Sequence, residues 1–318
     1  MLARVPGWES VSVVVPVFNA EATLDELVER IEATLVGTPF EIVLVNDGSV
    51  DGSWRRIVEL AAAHPSVRGL ELSRNFGQHN ALLAGVRAAR GDVIVTLDDD
   101  LQHPPEEIPK LLTQLGTGVD LVYGTPAVRQ HKPWRNLSAH LVRVGLKSAA
   151  GAEFAASVSP FRAFFADLRH AFESFAGPYV SVDVLLSWAT TRVGAVEVDH
   201  AERAVGASTY SFGKLVSLAL TMLTGFSTRP LRVASLVGLA ATAFGLLTLV
   251  YVIVRFVIDG NPVPGFPFLA SMIAIFAGAQ LFALGIIGEY IGRMHVRIMS
   301  QPAYVVRREV GADGSEHR

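Results

Sequence analysis

The stretch Val95-Thr96-Leu97-Asp98-Asp99-Asp100 sets three acids directly behind an apolar, β-branched run. Adjacent carboxylates repel one another and stay ionised best beside a cation. Mg2+, or Mn2+ in its place, suits them: a hard divalent ion takes one or two carboxylates and completes its shell with phosphate oxygens and water. Three further polar clusters also follow strand-like runs. Pro16-Val17-Phe18-Asn19 is one and Asn46-Asp47-Gly48-Ser49 another. An Asp in such a loop can bond a base N–H or a ribose hydroxyl, although Asn, Asp, Gly and Ser equally make plain turns. Ser73-Arg74-Asn75-Phe76-Gly77-Gln78-His79-Asn80 adds a cation and several amides, and His79 reads more readily as structural than as catalytic. No G-x-G-x-x-G follows the first strand and no G-x-x-x-x-G-K-[ST] occurs, so the dinucleotide and P-loop fingerprints are missing. With no cysteine, thiolate catalysis, disulfides and cysteine-bound zinc are excluded.

These loops need a scaffold that brings them to one edge. Val11–Val15 is apolar, β-branched and stopped by Pro16, which predicts a buried strand. Leu24, Leu27, Val28, Ile31 and Leu35 follow at helical spacing. Strands are predicted again at Glu41–Val45, Val67–Leu72, Val93–Leu97 and Leu121–Tyr123. Helices are expected around Ile57–Ala61, over Ala81–Ala89 and from Pro104-Pro105 to Leu115, the prolines sitting where a first helical turn needs no N–H donor. Alternation of this kind implies an α/β fold with a mostly parallel sheet and helices on both faces. In open sheets of that kind ligands bind at the carboxyl ends of the strands, where Asp98, Asp99 and Asp100 would stand.

Composition changes after Thr228. Half of the 318 residues are hydrophobic and only 18% are charged, too apolar for an ordinary soluble domain. Val233–Val254 and Phe268–Gly288 run for 22 and 21 residues without a formal charge, and each can cross about 30 Å of hydrocarbon at about 1.5 Å per residue. Two transmembrane helices are expected there, within a membrane region of residues 230–292. Arg229 and Arg232 precede the pair and Arg293, His295 and Arg297 follow it, while the connecting loop holds Asp259 and no Lys. This places both ends in the cytoplasm, with residues 1–209 as the catalytic domain and 293–318 as a cytoplasmic tail. Arg255, at the outer end, runs against that pattern and would snorkel. Residues 210–229 read either as an interfacial amphipathic helix or as a helix packed on the catalytic part. Met1–Ser10 has no apolar core of a signal peptide. The formal net charge of −3 gives no pull toward nucleic acid. Gln280 and Glu289 at membrane depth favour a protein-lined setting, and hence a homo-oligomer.

As a set, these motifs resemble the bacterial polyprenyl-phosphate glycosyltransferases of family 2. The resemblance rests on Pro16–Asn19, Asn46–Ser49, Asp98–Asp100 with Leu101–Pro105, and the two C-terminal spans. Arg74–His79, His200-Ala201-Glu202-Arg203 and Gly288–Arg293 look like the arabinose-type branch. The likeness covers about residues 10–306. It implies a GT-A, Rossmann-like fold, a nucleoside-diphosphate-sugar donor (a UDP-sugar first) and a polyprenyl phosphate acceptor of undecaprenyl type. It also implies residence in the inner membrane and a cell-envelope product. By position, Pro16, Phe18, Asn19 and Asp47 would hold the nucleoside. Asp98 and Asp100 would hold the metal and diphosphate, with Asp99 and Gln102 beside them, and Arg129 and Arg203 would meet the phosphates. Arg162 lies in the segment the family places near the acceptor, with Arg129 and Arg135 as further candidates; Arg135 reads more readily as a solvated surface charge.

Three departures from the family pattern stand out. Ala20 occupies a position that is often Glu, Gly206-Ala207-Ser208-Thr209 lacks a Lys, and Phe154–Phe161 contains no acid before Arg162. They keep a non-catalytic membrane scaffold in view as the alternative. A processive polysaccharide synthase is less favoured, since Q-x-x-R-W is absent and Pro133-Trp134-Arg135 has the wrong order.

Overall fold

The computed structural model describes residues 8–116, 118–126, 158–173, 175, 177, 181–200, 229–259, 265–299, 301–311 and 316–317. Strands β1 (Val11–Val17), β2 (Phe40–Asn46), β3 (Val67–Leu72) and β4 (Val93–Thr96) alternate with helices α1 (Leu24–Thr34), α2 (Ser53–Ala63) and α3 (Gln78–Ala88). A 3-10 turn at Pro105–Glu107 leads into α4 (Ile108–Gln114). Then come β5 (Leu121–Pro126), β6 (Arg162–Phe165), a 3-10 segment at Ala166–Phe172, α5 (Val182–Ala189) and β7 (Val193–Val198). Two long helices, α6 (Arg229–Asp259) and α7 (Gly265–Ile298), precede β8 (Val306–Val310) and the short β9 (Glu316–His317).

The strands form one sheet in the order β7-β5-β6-β4-β1-β2-β3-β8-β9. Its centre, β4-β1-β2-β3, is parallel. Every residue of β1 is buried, as expected for a parallel strand covered on both faces. Alternate residues serve different layers. Val13, Val15, Ile42 and Leu44 pack with Leu27 and Ile31 of α1, Ile57 of α2 and Leu111 of α4. Val14, Val43 and Val45 pack on the opposite face with Leu83 and Val86 of α3 and Leu185 of α5. A Cβ on Gly85 would stand 2.4 Å from Val14 Cγ1, so α3 lies on the sheet as closely as a glycine permits.

The sheet is larger than the five predicted strands. β6 enters antiparallel between β4 and β5, and β7 adds parallel to β5. β8 reaches the catalytic sheet from beyond the second long helix and pairs antiparallel with β3, Gly69 facing Val310 and Glu71 facing Arg308. Residues 306–310 are therefore part of the sheet and not a free tail. Arg308 also pairs with Glu71 at 2.6 Å, and Arg68 bridges Glu41 and Glu309, each at 2.8 Å. Helices α6 and α7 run beyond the uncharged segments because charges at their ends do not interrupt the helical backbone. Each contains a segment long and apolar enough to cross a membrane, Leu231–Arg255 and Ile275–Gly292; Ala234 is buried, whereas side chains such as Leu236, Leu247 and Leu281 are exposed.

Candidate active site

Four loops leave the carboxyl ends of β1, β2, β3 and β4 and bond to one another. The Phe18 N–H donates to Asp99 Oδ2 at 3.0 Å, joining the first loop to the acid run. Asn19, in the left-handed region at φ +54°, receives the Val50 N–H on Oδ1 at 2.9 Å, while its own N–H reaches Ser49 Oγ at 3.0 Å. A short polar side chain is what tolerates that conformation. Asp47 accepts the backbone N–H groups of Phe76 at 2.7 Å and Gly77 at 2.8 Å, tying the third loop to the second. Gly48 has φ +68°, and a Cβ there would stand 2.5 Å from Asn75 N, so glycine permits the close approach of these loops. Phe18 is 49% exposed above this framework, an aromatic face on an otherwise polar rim.

The acid run is held in several places. Gln78, the first residue of α3, donates from Nε2 to Asp98 Oδ1 at 2.6 Å. The Gln102 N–H donates to Asp100 Oδ1 at 3.1 Å, with Leu101 between them at φ +59°. Thr23 Oγ1 donates to the Asp99 carbonyl at 2.7 Å. Burial, reinforced by Asp100 and Asp99, pushes the Asp98 carboxyl up to about 7, against the pull of the Arg162 guanidinium and Gln78. Burial likewise raises Asp47 above the ordinary carboxylate range, although its two backbone bonds oppose the shift. His103 is pushed down to about 4, first by burial and then by His200, whose ring centroid lies 5.1 Å away. It is neutral at physiological pH.

A divalent cation fits this donor set in one way. Among the described residues no three His, Cys, Asp or Glu side chains are gathered into a closed metal centre. What is present is a run of mutually repelling carboxylates, one of them raised to about 7. That matches an ion which takes one or two carboxylates and draws its other ligands from a bound diphosphate and water. It does not match a caged structural ion.

Residues 12–173 match the description Glycosyl transferase family 2, and residues 229–294 match the GtrB C-terminal hairpin. The chain belongs to glycosyl transferase family 2. Its relatives include an undecaprenyl-phosphate 4-deoxy-4-formamido-L-arabinose transferase of Shewanella sediminis, 38% identical over 93% of this chain and 91% of the relative. Proteins of the same description from Pectobacterium carotovorum, at 36% over 96% and 94%, and Pseudomonas aeruginosa, at 37% over 96% and 91%, are similar along nearly their whole lengths. The fold is shared with glucosyl-3-phosphoglycerate synthase from Mycobacterium tuberculosis, solved with Mn2+, UDP and glucosyl-3-phosphoglycerate. There the TM-score is 0.53 at 20% identity, covering 68% of this chain and 78% of that one. A second complex of that enzyme, with Mn2+, UDP and phosphoglyceric acid, also gives 0.53 at 20% identity, over 70% and 82%.

In this family 2 glycosyltransferase the structure gathers Pro16, Phe18, Asn19, Asp47, Asp98, Asp99, Asp100 and Gln102 at one sheet edge. Arg129, Arg135 and Arg203 lie outside the described residues, as do the stretch 210–226 and the loop at 260–264. Arg162 requires a correction. It is 1% exposed, and its guanidinium is committed to Thr96 Oγ1 at 2.9 Å and to the Asp183 carboxylate. It lies beneath the acid run, because β6 inserts between β4 and β5 and turns this side chain into the core. Phe154–Phe161 holds no acid ahead of Arg162, and the carboxylate that meets it comes from α5. The sequence reading missed Asp183, Tyr123, Thr96 and the bond from Gln78. Of these, Gln78 and Thr96 stood inside motifs that had been singled out, without a role given to either.

Proposed function

We propose that this glycosyltransferase moves a sugar from a nucleoside diphosphate, a UDP-sugar in the first instance, to a polyprenyl phosphate of undecaprenyl type. The lipid-linked product would serve cell-envelope modification. One observation carries the reading: a carboxylate-rich donor edge and a two-helix apolar hairpin occur in a single chain, and its similarity to undecaprenyl-phosphate sugar transferases runs through both. The scaffold alternative draws no support from the site, where the acid run is bonded to the loop after β1 and to the start of α3.

On this reading Phe18 stacks on the nucleobase, and Asn19 and Asp47 shape its pocket. Asp47 gives one lone pair on each oxygen to a backbone amide and keeps others for a base N–H. Asp98 and Asp100 hold Mg2+ or Mn2+, which when bound neutralises charge on the leaving diphosphate. Arg129 and Arg203 are assigned to phosphate oxygens, and Arg129 with Arg135 to the acceptor phosphate. A phosphate monoester with its second pKa near about 6 is mostly a dianion at neutral pH. It attacks the anomeric carbon without a general base, and the chain has to supply orientation and positive charge. One in-line displacement then inverts the anomeric centre, with no sugar-enzyme intermediate.

Placement of the sheet and both hairpin ends on the cytoplasmic side of the inner membrane is supported by β8. A strand from beyond α7 pairs with β3, so the chain must return to the side from which it entered. The basic residues flanking the hairpin favour the cytoplasm as that side. Exposed side chains along both helices, such as Leu236, Leu247 and Leu281, provide surface for lipid and for a second copy in a homo-oligomer. The test is transfer by the full-length protein in lipid nanodiscs, with a panel of UDP-sugars and short polyprenyl phosphates. The expected product is a lipid-linked sugar of inverted configuration. No lipid product across the panel would overturn the reading, and a retained configuration would overturn the single displacement.

A further inference from the structure

Beneath the acid run lies a buried polar cluster drawn from four elements. On β6, Arg162 faces Thr96 of β4 and Tyr123 of β5 across the sheet. Its Nε donates to Thr96 Oγ1 at 2.9 Å and its Nη1 to Asp183 Oδ1. The Tyr123 hydroxyl donates to the same Asp183 oxygen at 2.9 Å, and Thr96 Oγ1 passes its own hydrogen to the Pro160 carbonyl at 2.7 Å. Asp183 comes from the first turn of α5. Arg162 is 1% and Asp183 5% exposed. Removing two such charges from water costs several kcal/mol per ion, and well-packed apolar residues of similar volume often stabilise a fold as well or better. Stability alone is a poor reason for the pair.

Its position supplies another reason. Thr96, the last residue of β4, stands two residues before Asp98. The Val182 N–H, at the start of the helix that bears Asp183, donates to His79 Nδ1 at 3.4 Å. His79 adjoins Gln78, whose amide holds Asp98 at 2.6 Å. The ion pair thus connects to Asp98 along two routes, through the end of β4 and through the start of α3. A carboxylate carried on a strand end is free to swing unless the strand end and its hydrogen-bond donor are both fixed.

We propose that Asp183, acting through Arg162, is a positioning residue for the donor site: the pair fixes the end of β4 and the start of α3 so that Asp98 and Gln78 are set for a nucleoside diphosphate and its divalent cation. This rests on the donor-site reading of Asp98. Groups that orient metal ligands typically contribute about 10–100-fold in metal affinity or activity. The test measures UDP binding by calorimetry in the presence of Mn2+, on the full-length protein in nanodiscs, together with KM for each substrate. In the double variant Arg162→Met/Asp183→Leu, UDP–Mn2+ affinity should fall about 10–100-fold, with KM for the lipid phosphate unchanged at saturating donor. Thr96→Val leaves the ion pair in place, cuts its bond to β4 together with the Thr96 bond to the Pro160 carbonyl, and should show the same split; it carries the comparison if the double variant does not fold. Undiminished UDP–Mn2+ affinity in a folded Thr96→Val protein would overturn the proposal. A raised lipid-phosphate KM with donor affinity intact would do so too, by returning Arg162 to the acceptor. If the wild-type protein binds no UDP with Mn2+, the donor-site reading fails and this proposal falls with it.

Discussion

Gln78 Nε2 lies 2.6 Å from Asp98 Oδ1, so the first residue of α3 holds the first acid of the run. An amide donor orients a carboxylate without neutralising it, leaving the charge for a cation. Gln78→Leu keeps much of the volume and removes the donor. It should raise the donor KM about 10-fold, at the lower end of what losing such an orienting group costs, and leave lipid-phosphate KM alone. Steady-state kinetics in both substrates decide it: an unchanged donor KM would mean that the bond is incidental.

The raised Asp98 carboxyl gives a pH signature. Its value of about 7 in the folded chain lies above the about 3.9 of an unperturbed Asp. Between those values the folded protein holds a proton that the unfolded chain does not, so this group's contribution to stability falls as pH rises through the window. His103, held at about 4, works oppositely: below about 6.5 the unfolded chain takes up a proton that the buried ring refuses. The metal-free melting curve therefore mixes both effects, and the shift produced by ligand separates them. On the proposed function a cation with UDP binds the ionised carboxylate and stabilises the folded state by mass action. The rise in melting temperature on adding Mn2+ and UDP should be larger at pH 8 than at pH 5.5. An equal rise at both values would remove Asp98 from the proposed metal site.

The parts of this site that were legible in the sequence are those in which neighbours in the chain are also neighbours in function. Asp98, Asp99 and Asp100 are consecutive, and the β-branched runs of β1 and β4 announce buried strands whose ends must carry them. The parts that stayed hidden depend on pairings across distance. Arg162 and Asp183 are 21 residues apart, on a four-residue strand and a mostly apolar helix whose periodicity says little about which side meets the sheet. A lone guanidinium in sequence reads as a surface or ligand charge, and only the register that sets Arg162 opposite Thr96 and Tyr123 shows it to be core. β8 escaped for a similar reason: Val306-Arg307-Arg308-Glu309-Val310 reads as a solvated charged run until Glu71 and Arg68 are found facing it.

Gly48 offers a check on the proposal that the loops after β2 and β3 hold the nucleoside. At φ +68°, and with a Cβ position 2.5 Å from Asn75 N and 2.6 Å from the Arg74 carbonyl carbon, Gly48→Ala is opposed by both strain and backbone contact. Backbone cannot step aside as the end of a flexible side chain can, so the loops after β2 and β3 must separate. Strain of this kind costs about 1–3 kcal/mol. The variant should melt lower and bind UDP more weakly, read by thermal unfolding and calorimetry. Unaltered UDP affinity would place the nucleoside away from these loops.

The attachment of β8 to β3 constrains the membrane arrangement. Glu71 and Arg308 meet at 2.6 Å, Arg308 lies 5.2 Å from the Trp54 ring centroid, and Val310 is fully buried, so the strand is anchored by charge, ring contact and packing together. With β3 and β8 in one sheet, the proposed membrane arrangement is an out-and-back pair of α6 and α7. A single crossing with the second helix lying flat would leave the sheet divided between two compartments. The connection between the helices, which includes Asn261, should therefore be the part that reaches the outside. The chain has no cysteine, so introduced thiols report without background. Asn261→Cys should react with a membrane-impermeant maleimide on intact spheroplasts. Ser315→Cys, one residue before Glu316 in the chain, should react only after permeabilisation. Labelling at 315 but not at 261 on intact spheroplasts would reverse the orientation and put the donor edge on the side of the membrane that lacks nucleotide sugars. Labelling at both would break the pairing of β8 with β3 in the membrane-bound protein.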